Sequence, residues 1–164
     1  MAAGEAAGEL PYGWATVTTA VARAVAGVPP QALTVRSAQR LPAVPAVQEH
    51  LDAVLVAMVE SALRRSPPGA RVLVRTELTA GRPGTPDRIR VQVADRGPDL
   101  AGEARHRLPA VPSGSPGTHR TTAELACAAA RLSAAGGGAL SAGANPGGGL
   151  LLTLALTTAA RPGW

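Results

Sequence analysis

Phenylalanine and lysine are absent from the 164 residues, tyrosine and cysteine occur once each, and tryptophan occurs twice. Each shortage excludes something. Without aromatic platforms, single-stranded nucleic acid has nothing to stack on. The chain has a net charge of +5, but its arginines are scattered singly or in pairs rather than in a basic run, so no nucleic-acid partner is expected. One cysteine, Cys127, cannot form an internal disulfide. Its small-residue helical context (LACAAARL) marks it as a buried small hydrophobe. The opening MAAGEAAGEL lacks the basic-then-apolar order of a secretory signal, and the apolar run LLLTLAL is too short to span a bilayer. No membrane partner and a cytoplasmic location are expected. With so few aromatics, the core must be built from many small contacts of Ala, Val and Leu.

What is present has clear punctuation. Residues 1–11 read as a flexible tail, 12–160 as one domain and 161–164 as a second tail. Trp14, Val17, Val21, Val25 and Val28 recur at helical spacing, which predicts a helix over about 14–27, ended by Gly27 and Pro29-Pro30. Leu33 to Arg36 predicts a short strand, and Pro42 and Pro45 an extended lead into the next helix. That helix carries Val47, Leu51, Val54, Leu55, Met58, Val59, Ala62 and Leu63 on one broad apolar face and stops at Ser66-Pro67-Pro68-Gly69. Val72, Val74 and Thr76 alternate with Arg71, Leu73 and Arg75, which predicts a strand. A turn over 80–87 returns the chain through Ile89 to Val93 and delivers Asp95 to the strand end. Residues 96–120 show no period and predict a long irregular loop. A helix over about 121–135, a short strand at 139–142, a turn at Asn145 to Gly149 and a strand from Leu150 to Leu156 complete the chain. This order predicts an α+β fold: a two-layer sandwich in which a mixed, largely antiparallel sheet has its helices on one face.

Three segments carry a family resemblance. LPAVPAVQEHLDAVLVAMVESALRRSPPGARVLV is similar to the asparagine-box helix of the GHKL ATPase superfamily, VQVADRGP to its first glycine box, and AAGGGALSAGANPGGGLLLTLAL to its closing hairpin. From about residue 14 to 158 the order resembles the ATP-binding domain of sensor histidine kinases. SPPG, DRGP and NPGGGL are nearest to the potassium-sensing histidine kinases of GC-rich bacteria.

The resemblance assigns chemistry position by position. Two asparagines four residues apart should face the phosphates, the second ligating Mg²⁺. Their places hold Ala57, which has no ligand, and Ser61, whose neutral hydroxyl is weaker for a hard cation. Glu60 points about 100° away around the helix. Arg64 keeps a basic charge near the phosphate position, and Arg65 stands where an aromatic packs on adenine. Asp95 matches the carboxylate that accepts the adenine amino group, and Gly97 lets the backbone approach the base. From the residues alone, Asp95 equally suits an acid that caps the turn after a strand. Asp99 replaces the family's next glycine. The phenylalanine-bearing lid cannot exist here. In the second glycine box Gly114 and Gly117 remain, Thr118, Thr121 or Thr122 can cap the following helix, and His119 and Arg120 can attract an anion.

The scaffold and adenine side therefore match the family, while the metal and phosphate side departs from it. The expectation is a degenerate, non-catalytic member of two-component signalling, a regulatory or protein-binding module. Its protein partner is not identifiable from sequence. The loop over 98–120 and the segment around Trp14 are the expected contact surfaces. ATP or ADP is the candidate ligand, expected to bind weakly if at all and without Mg²⁺. The alternative is an active small GHKL protein kinase, resembling anti-sigma serine kinases or a histidine kinase catalytic domain, with Ser61 or Glu60 at the metal. A structural domain of a larger assembly is a third reading.

Overall fold

The computed structural model describes residues 13–97, 118–134, 138–146 and 148–158. In chain order the elements are β1 (Trp14–Ala15), α1 (Val17–Val25), a 3-10 turn (Pro30–Ala32), β2 (Leu33–Arg36), β3 (Val44–Pro45), α2 (Gln48–Arg65), β4 (Val72–Thr79), β5 (Arg88–Ala94), α3 (Thr118–Ala134), β6 (Ala139–Ala144) and β7 (Leu150–Thr157). Five strands form one sheet in the order β2-β4-β5-β7-β6. β2 runs parallel to β4; the β4–β5, β5–β7 and β7–β6 pairs are antiparallel. The α+β two-layer sandwich read from the sequence is the fold observed.

Alternation decides which face is buried. In β4, β5 and β7 the inward residues are Val72, Val74 and Thr76; Ile89, Val91 and Val93; and Leu150, Leu152, Leu154 and Leu156. Register places Val93 against Leu152 and Val91 against Leu154, so one apolar layer crosses the sheet without a break. α2 lies over β4 and β5, flanked by α1 and α3. It contributes Leu51, Val54, Leu55 and Met58, and α3 adds Leu125 and Leu132. Arg64 and Arg65 fall in the last turn of α2, where positive charge favours the carbonyl end of the helix.

Three local expectations are corrected. Helix α1 begins at Val17, not residue 14, and Trp14–Ala15 instead pairs antiparallel with Val44–Pro45. The cause is tertiary. Gln48 accepts the Thr16 N–H through Oε1 at 2.8 Å and donates from Nε2 to the Thr16 carbonyl at 3.2 Å, which holds Thr16 extended. Nε2 also donates to Asp52 at 2.8 Å, and Asp52 pairs with Arg23 of α1. Helix α3 begins at Thr118, three residues before the expected start. Cys127 is exposed rather than buried, because the buried line of α3 runs through Leu125, Ala126, Ala128, Ala129 and Leu132. In an alanine-rich helix, small residues occur on both faces and blur the period.

Register makes a direct prediction about stability. Leu154→Ala opens a cavity in the inner layer and is expected to cost about 2–5 kcal/mol in urea unfolding. Its neighbour Thr153→Ala, on the outer face, should cost under about 1 kcal/mol. Equal losses would mean that the strand does not alternate as described.

Candidate functional site

The end of α2 meets the end of β5 at Asp95. This acid is 1% exposed and directly follows the last residue of β5. Every polar atom of Asp95 has a partner. Its N–H donates to the Leu150 carbonyl at 2.9 Å, and its carbonyl accepts from Asn145 Nδ2 at 2.8 Å. Carboxylate Oδ1 accepts the N–H groups of Gly97 and Leu150, both at 2.9 Å. Oδ2 accepts from Arg65 Nε at 2.9 Å, and the side chains of Arg65 and Asp95 are 12% and 2% exposed. The bond to Gly97 closes an Asx turn, the turn-capping role that the sequence allowed. The same carboxylate therefore ties together the helix, the strand end and the closing hairpin.

Two glycines make this approach possible. A Cβ on Gly97 would lie 2.5 Å from the Arg65 carbonyl oxygen, so Gly97 packs on the end of α2. Gly149 has φ of 107°, and a Cβ there would run into the Asp95 carbonyl. Arg96 N–H donates to Ser66 Oγ at 3.3 Å, a further tie between the two segments.

Ala57 and Ser61 are both buried and lie four residues apart on the α2 stripe that continues to Arg65. The metal-facing positions implied by the resemblance thus lead towards Asp95 but supply one hydroxyl between them. Arg64 and Glu60 are exposed. His50 lies in the first turn of α2, fifteen residues from Arg65 and about 22 Å along the helix. Gly114, Gly117 and Asp99 lie outside the described residues. So do the side chains of Thr118, His119, Arg120, Thr121 and Thr122, although the backbone from Thr118 onwards is helical. Among the described residues, no helix is long and apolar enough to cross a membrane.

Solved structures share this fold. The mycobacterial sensor histidine kinase MprB superposes with a TM-score of 0.69 at 21% identity, covering 92% of this chain and all of that one. The nucleotide-free catalytic domain of histidine kinase ThkA reaches 0.72 at 14% identity, covering 91% of this chain and 99% of its own. Full-length ShkA in complex with AMPPNP reaches 0.65 at 26% identity; the match covers 93% of this chain and 33% of ShkA. The fold is that of a histidine kinase ATP-binding domain. No protein-family model matches the chain, and no curated protein sequence does. Within this histidine-kinase-like fold, the sequence reading missed the Arg65–Asp95 pair. Thirty residues separate the partners, and local periodicity carries no signal across that distance. The signal available was the resemblance itself, since it set both residues beside the same base.

The pair has a measurable consequence. Asp95→Ala leaves Arg65 without its buried carboxylate and leaves two backbone N–H groups without an acceptor, so a loss of about 3–5 kcal/mol is expected. Arg65→Met combined with Asp95→Ala should cost less than the sum of the singles by about 1–3 kcal/mol. Additive losses in chemical denaturation would mean that the two side chains do not interact.

Proposed function

We propose that this domain is a non-catalytic, histidine-kinase-like module that acts through protein contacts and binds nucleotide weakly or not at all. The observation that carries the reading is the engagement of Asp95. In the resemblance this carboxylate is the acceptor for the adenine amino group. Here Oδ2 accepts from Arg65 and Oδ1 from two backbone N–H groups. A base entering the site would have to displace a charge-assisted, mostly buried bond, which costs more than one to water.

The donors expected on the phosphate side do not compensate. Ala57 supplies no ligand and Ser61 a single buried hydroxyl, whereas Mg²⁺ requires a near-octahedral set of oxygens. Among the described residues, this donor set does not fit Mg²⁺–ATP. Ser61, Arg64, Asp95, Gly97, Gly117 and Thr118 are accordingly read as a vestigial nucleotide site. A regulatory place in two-component signalling, and kinship with potassium-sensing kinases, remain parts of this proposal.

Calorimetric titration tests it. ATP affinity is expected on the order of 0.1 mM or poorer, with little change on adding Mg²⁺, and no phosphate release should exceed a buffer blank. Arg65→Ala frees Asp95 Oδ2 and should tighten ADP binding by about tenfold. Micromolar, Mg²⁺-dependent binding, or turnover abolished by Ser61→Ala, would favour the active-kinase alternative.

A further inference from the structure

The sheet face turned away from the helices has an uneven charge. Its strands carry four arginines (Arg36, Arg75, Arg88 and Arg90) against one acid, Glu77, and all four arginines are exposed. Glu77 reaches Arg75 at 3.7 Å and Arg90 at 3.8 Å, long and solvent-screened pairs that neutralise little. Arg36 and Arg75 are direct register partners on adjacent strands. Like charges in that relation work against the sheet unless an anion joins them. Between the arginines lies a concavity of about 370 Å³. Leu73, Ala94, Pro146 and Leu151 give it apolar lining; Gln92 and Asn145 give it neutral polar lining, and Arg75 and Arg90 outnumber the one carboxylate there, Glu77.

We propose that this face docks an acidic peptide segment of a partner protein, with an apolar side chain seated in the concavity and flanking carboxylates on Arg75, Arg90 and Arg36. Guanidinium forks match carboxylates bidentately, so the arginines select charge while Leu73 and Leu151 select an apolar anchor. Single-stranded nucleic acid fits less well, because the strands of this face carry no aromatic side chain for a base to stack on. A membrane surface fits less well because the apolar lining is recessed among charged residues. The proposal goes beyond the nucleotide reading, since an ATP-competent domain could carry the same surface.

The test uses the full chain without nucleotide, at low salt. A fluorescent glutamate-rich peptide with central leucines is titrated by anisotropy, beside single-stranded poly-uridine and phosphatidylserine vesicles. Saturable peptide binding is expected, weakened at least about tenfold by Arg75→Glu with Arg90→Glu. Arg82→Glu with Arg131→Glu makes the same charge change at exposed sites off this face and should leave affinity within about twofold. The milder Arg75→Gln with Arg90→Gln serves if the charge reversals perturb folding, and thermal melts check each variant. Equal loss from both charge-reversal pairs would reduce the effect to net charge and overturn the proposal. So would absence of peptide binding, or binding only to poly-uridine or vesicles. Because no nucleotide is present, these outcomes are separate from success or failure of the vestigial-site reading.

Discussion

The pairing of Arg65 with Asp95 is the constraint around which this end of the domain is organised. A carboxylate 1% exposed cannot be left without partners. Asp95 receives them from three directions: the end of α2, the turn after β5, and the first residue of β7. Gly97 and Gly149 follow from that need, since side chains at either place would occupy the space that α2 and Asp95 fill. The sheet and its leucine layer hold the framework, and this one acid fixes how the framework closes.

That closure separates fold from chemistry. A scaffold shared with solved histidine kinase domains establishes what the chain resembles in shape, while the activity has to be argued from donors and acceptors. A purine needs a free acceptor, and phosphates with a metal need several oxygens and N–H groups. Here the acceptor Asp95 is engaged by Arg65, and the helix offers Ala57 and Ser61. The outer sheet face presents the opposite situation. Among the described residues, its four strand arginines face one acid, Glu77, and that imbalance is the basis of the proposed acidic-peptide contact.

Much of the fold was legible because its signals are periodic. The apolar face of α2 repeats over several turns and apolar residues recur at every second position in β4 and β5, so these elements follow from the sequence, whereas β7 reads only as an apolar strand and the structure decides which of its leucines face inward. β1 and β3 are two residues each, too short to display any period, and they exist because Gln48 captures the backbone of Thr16. Cys127 was misplaced because alanine on both sides of α3 hides which face is buried. At the site, the residue types and the turn role of Asp95 were readable. The engagement of Asp95 by Arg65 was not, since it depends on tertiary structure bringing together residues far apart in the chain.

The most direct measurement follows the Arg65 side chain itself. In a ¹⁵N–¹H NMR spectrum, an Nε–H held on a buried carboxylate should give a distinct, slowly exchanging cross-peak that Asp95→Asn shifts. The account predicts that this peak stays in place as ATP and Mg²⁺ are raised to millimolar concentration. Its movement or loss on ATP addition, with new protection at the Gly97 amide, would show a base displacing Arg65 from Asp95 and would contradict the account.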